Sequence, residues 1–173
     1  MELEARLAVV TAERDAEIAM RRRVFVLLND YSKEIERTAS SVTYRINPST
    51  ADADSDDPTI RRCRAFAASS NCGRLVVVNL FAFRATKPSE LKRAADPIGP
   101  HNDLYLTNAA RRASIIVCAW GIHGGFLGRD KAVRTLVSAI GRYFHLGLTR
   151  DGHPRHPLYV PSATAPILWM NAK

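Results

Sequence analysis

LVVVNLFAF, residues 75–83, is the stretch on which the reading of this chain turns. Leu75 to Leu80 is an apolar run interrupted only by Asn79, with three consecutive valines. A strand that faces water on one side alternates apolar and polar residues. A run without alternation marks a strand buried on both faces, and therefore a sheet covered by helices above and below. SIIVCAW, residues 114–120, repeats the pattern. Between the two runs, Pro88 to Ala95 reads as a short helix. Asp96-Pro97-Ile98-Gly99-Pro100 reads as a loop, because its prolines cannot donate backbone hydrogen bonds, and a further helix is expected near Asp103 to Arg112.

The same rhythm extends outward in both directions. Upstream, Asp57-Pro58-Thr59 has the form of a helix start, Asp as cap and Pro at the first helical position, with the helix running to about Ser70 before Gly73 stops it. Ser41 to Ile46 precedes it as a strand. Downstream, a helix from Lys131 to Tyr143 leads to a short last strand at His145 to Thr149. Four strands separated by helical crossovers predict an α/β fold, a three-layer sandwich around a central, mainly parallel four-stranded sheet. Val24 to Leu28, closed by the turn pair Asn29-Asp30, is expected as an added N-terminal strand or hairpin. Residues 3–20, rich in Leu, Ala, Glu and Arg, are expected as an N-terminal helix that packs on the domain or on a second copy of the chain. The organisation predicted is a helix over 1–22, one α/β domain over 23–160 and a tail over 161–173.

Composition agrees with a single domain: 173 residues at 46% hydrophobic content can bury one core. Lys and Arg outnumber Asp and Glu by 25 to 17, a formal charge of +8, which favours a polyanionic partner. Arginine clusters at 21–23, 61–64 and 111–112, and its fork suits phosphate oxygens, although any one cluster also reads as a solvated helix face. The 3 cysteines cannot close a disulfide framework and none is spaced as a Cys-x-x-Cys site. Reduced thiols in a cytoplasmic protein are expected. With no basic-then-apolar leader and no apolar run near the ~18 residues of a membrane span, secretion and a membrane partner are not.

Ligands in such sheets bind beyond the carboxyl ends of the strands. The loops predicted there begin at Asn47, Asn79, Gly121 and Arg150, and they hold most of the chemically unusual residues. The first, NPSTADADSDD (47–57), alternates aspartates like a calcium loop, but Asp57 stands where the turn needs Gly and Cys63 where the bidentate Glu belongs. Magnesium held by Asp52 and Asp56 together with substrate phosphates remains open, beside plain capping and turn chemistry. Asn79 offers a donor and an acceptor together, as a nucleobase edge does. Phe81 and Phe83, two residues apart, are expected to share a face and to stack on a ring or pack in the core. Trp120-Gly121-Ile122-His123-Gly124-Gly125 is a glycine turn whose amides can approach a phosphate or a base. In GHPRHPLY (152–159), His153 and His156 each precede a proline and so are presented on a stiffened backbone, as acids, bases or anion donors. A metal would need a third ligand such as His101 or His123.

These motifs carry a resemblance. Asn47-Pro-Ser-Thr-Ala-Asp52, Asp56-Asp-Pro-Thr-Ile-Arg-Arg-Cys63, Val78-Asn-Leu-Phe-Ala82, Arg84-Ala-Thr-x-Pro88, Pro97-x-Gly-Pro-x-Asn-Asp103, Ala119-Trp-Gly-x-His-Gly124 and Gly152-x-Pro-Arg-His-Pro-Leu-Tyr159 resemble, in order, the bacterial and phage domain of unknown function family 1643. The order of loops is also similar to that of the uracil-DNA glycosylase superfamily: an Asn-Pro or Asp-Pro loop, a strand-end Asn, a Trp-Gly turn, and a His-Pro loop with a nearby Leu. That second resemblance implies N-glycosidic hydrolysis of a base in nucleic acid. Asn47 would position water and Asn79 would read a base edge; in the same loop Asp52 is a further catalytic candidate and Ser49 a substrate-binding one, although the added aspartates have no counterpart in that superfamily. His153 or His156 would stabilise the developing charge, and Leu158 would fill the gap left by an extruded base. Phe81, Phe83, Trp120, Gly121 and His123 would line the pocket. Arg155, which interrupts the usual His-Pro-Ser-Pro form, would clamp a phosphate. No cofactor is expected, and the absence of four clustered cysteines argues against an iron-sulfur centre. Two alternatives stand beside it: a magnesium-dependent enzyme acting on free nucleotides or phosphorylated small molecules, and a nucleic-acid-binding module without chemistry.

Overall fold

The protein is described from a computed structural model, covering Thr11, Arg14 and residues 23–28, 41–45, 58–83 and 88–170, with residues 23–28, 41–45 and Pro88 described as backbone only. It is a mixed α/β fold built on a six-stranded sheet. The strands are β1 (Arg23–Leu28), β2 (Ser41–Arg45), β3 (Arg74–Asn79), β4 (Ile115–Cys118), β5 (Tyr143–His145) and β6 (Ile167–Leu168). The helices are α1 (Pro58–Ser69), α2 (Pro88–Arg93), α3 (Asn102–Arg111) and α4 (Arg129–Ser138). Strand order is β2-β3-β1-β4-β5-β6.

β1 pairs in parallel with both β3 and β4, and β4 with β5, so the parallel core is β3-β1-β4-β5. This corrects the expectation for the first strand. Val24–Leu28 is no addition at the margin; it lies at the centre. Ser41–Arg45 is the outer strand, antiparallel to β3 with Ser41 opposite Val78 and Arg45 opposite Arg74. Direction decides the difference. The chain leaves β2 beside the first residue of β3, at the amino edge of the parallel strands, so the loop opening after Ile46 does not start at the carboxyl edge as Asn79 and Gly121 do. Residues 46–57, which hold Asn47, Ser49, Asp52 and Asp56, lie outside the described residues, as does most of the expected N-terminal helix.

The side-chain period of two separates the core into two layers. Leu75 and Val77 of β3 with Val117 of β4 face α1, where Ile60, Cys63, Phe66 and Ala67 cover them. Val78, Ile116, Cys118 and Trp120 face the other way, against Leu91 of α2, Leu106 and Ala110 of α3, and Val133 and Val137 of α4. All three cysteines are buried and none forms a disulfide. Burial pushes the Cys118 thiol far up, out of reach of ordinary pH.

The last parallel strand comes earlier than the apolar pattern indicates, at Tyr143–His145. It ends where Gly147 takes φ +114, a conformation glycine tolerates best. Leu148 bridges only to Pro154. The segment after residue 160, expected as a tail, adds β6 antiparallel to β5, with His145 opposite Ile167. Trp169 then packs its ring 5.9 Å from Trp120 and 5.8 Å from Tyr143.

Candidate functional site

β1 leads, through β2 and α1, to β3 on one side of it. β3 then crosses back to β4 on the other side, so the carboxyl end of β1 is the switch point where a doubly wound sheet opens a crevice. The segments after Asn79 and after Cys118 flank it, and the segment after β5 is bonded to the second of them.

The turn after β5 is tightly held. Thr149 N–H donates to the His153 carbonyl at 2.8 Å, Gly152 N–H to the Thr149 carbonyl at 3.0 Å, and Arg155 N–H to the Gly147 carbonyl at 2.9 Å. The His153 N–H donates to Thr149 Oγ1 at 3.1 Å. Residues 153–155 thus run back along 147–149 as a small hairpin. The Gly121 N–H donates to the Pro154 carbonyl at 2.9 Å, joining the hairpin to the Trp-Gly turn. Gly121 sits at φ +69, and a Cβ built there would lie 3.6 Å from the His156 Cβ.

The structure separates the two histidines that the sequence leaves equivalent. His156 is extended and precedes a 3-10 turn over Pro157–Tyr159, and its Nδ1 accepts from the Leu158 N–H at 3.4 Å. With Nδ1 used as an acceptor, the neutral ring carries its proton on Nε2 and presents a donor. His153 instead lies against Gly125, and its Nδ1 stands 3.7 Å from Asp130 Oδ2, an ion pair when the ring is protonated.

The His-Pro turn is anchored from below. Arg62 of α1 donates through Nε to the Pro157 carbonyl at 3.4 Å and through Nη2 to the Val160 carbonyl, while its guanidinium lies 5.5 Å over the Phe66 ring. Pro157 and Val160 are buried, whereas Leu158 and Tyr159 project into solvent.

A second anchor, not foreseen from the sequence, holds the chain beyond Asn79. Asn102 Nδ2 donates to the Leu80 carbonyl at 2.6 Å and to the Asn79 carbonyl at 3.3 Å. Arg129 Nε donates to the same Leu80 carbonyl at 2.8 Å, and its Nη2 pairs with Asp103. Asn102 and Arg129 are both buried. The Asn-Asp pair at 102–103 is part of a quoted motif, but nothing in its spacing points to Leu80, and Arg129 has no local signal at all.

Among the predicted site residues, Asn79 ends β3 half-buried, with the parity of Leu75 and Val77, hence on the α1 side where the His-Pro turn sits. Gly121, His153, His156 and Leu158 gather at the same edge, with His123 exposed on the turn and Arg155 exposed on the hairpin. Arg155 Nε donates to the Leu148 carbonyl at 3.1 Å. Phe81 and Trp120 belong elsewhere. Phe81 is 4% exposed and packs 5.8 Å from Phe126. Trp120 is 2% exposed, on the opposite face of the sheet from α1. Phe81 and Phe83 do not share a face, because β3 ends at Asn79 and the chain turns to bond Ala82 and Phe83 to the carbonyls of Ile98 and Pro97. Phe83 alone is exposed. No group of three His, Cys, Asp or Glu positioned for a metal occurs among the described residues, and no helix among them is long and apolar enough to cross a membrane.

The motifs gathered here carry a family assignment. The chain belongs to the family described as Protein of unknown function (DUF1643), whose sequence model matches residues 25–158. No curated protein and no solved structure matches it.

Proposed function

We propose that this chain acts on a nucleobase held in nucleic acid, hydrolysing its N-glycosidic bond in the manner of the uracil-DNA glycosylase superfamily that its loops resemble. The observation that carries the reading is the junction of the Gly121 turn with the His156 turn, at the same carboxyl edge of the sheet where β3 ends in Asn79. In this reading Asn79 pairs with the base edge, and a water attacks the sugar carbon bearing the base. The carbon–nitrogen bond breaks, its electron pair leaves with the base, the proton released by the attacking water ends on the base, and the Nε2–H of His156 donates a hydrogen bond to the oxygen on which the charge accumulates. Arg155 and the net charge of +8 attract the phosphates. His153, whose Nδ1 faces Asp130 Oδ2, is assigned to the same loop as a neighbour and not as the donor.

The test is incubation with labelled single- and double-stranded oligonucleotides carrying uracil and other altered bases, followed by alkaline cleavage at abasic sites. Cleavage is expected, and it should fall at least about 100-fold in His156→Ala, the order of effect of removing one charge-stabilising donor. His153→Ala should retain more activity. Folded protein that neither binds nor cleaves any of these oligonucleotides would overturn the reading.

A further inference from the structure

Exposed aromatic rings are unevenly distributed over this molecule. Among residues whose side chains are described, three aromatics are exposed: Phe83 at 42%, Tyr105 at 42% and Tyr159 at 76%. All three stand at the carboxyl edge of the parallel strands. Phe83 follows β3. Tyr105 lies in the first turn of α3, the end tied by Asn102 to Leu80. Tyr159 closes the His-Pro turn, 5.8 Å from the His156 ring.

Each is carried by a pinned backbone. The Phe83 N–H donates to the Pro97 carbonyl at 3.1 Å, Tyr105 N–H to the His101 carbonyl at 3.1 Å, and Tyr159 N–H to the His156 carbonyl at 2.9 Å. Their backbones are therefore ordered before any ligand arrives, so binding need not pay again for ordering the chain beneath them. A duplex buries the faces of its bases and offers edges, whereas an unpaired strand offers the faces themselves, which stack on aromatic side chains whatever the sequence. Exposed Arg150 and Arg155 on the hairpin that precedes the His-Pro turn supply charge for the strand's phosphates.

We infer that the nucleic acid taken at this edge is single-stranded, with unpaired bases stacking on Phe83, Tyr105 and Tyr159. The inference rests on the nucleic-acid reading above and narrows it.

Fluorescence anisotropy with a labelled mixed-sequence strand of about 20 nucleotides, alone or annealed to its complement, tests it. The single strand should bind at least about tenfold more tightly than the duplex. Tyr159→Ala and Phe83→Ala should each weaken single-strand binding about tenfold, and Tyr159→Phe should restore it. Both positions are exposed, and circular dichroism confirms that the variants fold. Equal or tighter binding to the duplex, or alanine variants that bind the single strand as the parent does, would overturn the inference and leave the nucleic-acid reading standing. Folded protein that binds neither form would overturn both and leave the apolar edge to a protein partner.

Discussion

Gly124 lacks a side chain because the indole of Trp120 occupies the space one would need. A Cβ there would lie 2.1 Å from the ring, and the ring, 2% exposed among core side chains and Trp169, has nowhere to go. Gly124→Ala is expected to cost about 1–3 kcal/mol, the usual penalty of overpacking a filled core, read as a lower urea midpoint. An unchanged midpoint would mean that the turn repacks freely. His145 shows a different constraint at the same scale. Its ring is buried edge-on to Trp169 and its Nδ1 accepts from the Gly147 N–H at 2.9 Å. Burial pushes its pKa below the ordinary imidazole value. The unfolded chain therefore takes up a proton first as pH falls. The stability this histidine contributes is complete above about 6.5 and is lost as pH drops through that value toward the folded pKa. His145→Phe should flatten the acid limb of the stability curve below about pH 6.5, and parallel curves for the two proteins would assign that limb to other groups.

At the scale of elements, the arginine-rich helix has an internal task. The sequence offers two readings of the cluster at 61–64, phosphate binding and a solvated face. Arg62 follows neither, since it spends its guanidinium on the carbonyls of Pro157 and Val160. A long-range bond between residues so far apart in sequence leaves no trace in helical periodicity, and for that reason it was not legible. Arg62→Met keeps the aliphatic stem over Phe66 and removes both bonds. It is expected to cost about 1–3 kcal/mol and to speed amide exchange at Tyr159, whose N–H is held by the turn that Arg62 anchors. Loss of stability without faster exchange there would separate the helix from the turn. The same limit explains the two phenylalanines. The apolar run of β3 marks a strand buried on both faces, but the apolar sequence continues past the last ladder bond, so the strand's alternation does not extend to Phe81 and Phe83.

For the molecule as a whole, the sequence conveyed class and layer but not strand order or direction. Runs such as Leu75–Val78 and Ile115–Cys118 identify a covered sheet because both faces are apolar, and the structure buries them that way. Val24–Leu28 and Ser41–Arg45 read alike as strands. Which is central and which is outer depends on pairing with residues far along the chain, as in the register of Val26 with both Val77 and Val117. Of the candidate site, the residues that project from turns were legible through proline and glycine. The groups that hold those turns, Arg62, Asn102 and Arg129, were not.

Trp169 gives the molecule a boundary of its own. The family signature closes at residue 158, yet the indole eleven positions later covers Trp120, Tyr143 and His145, and β6 shields the open side of β5. What is shared by sequence and what folds together thus have different ends. Trimming the chain to its signature would uncover aromatic surface and a bare strand edge at once, the combination that turns a stable domain into one that seeks its own copies.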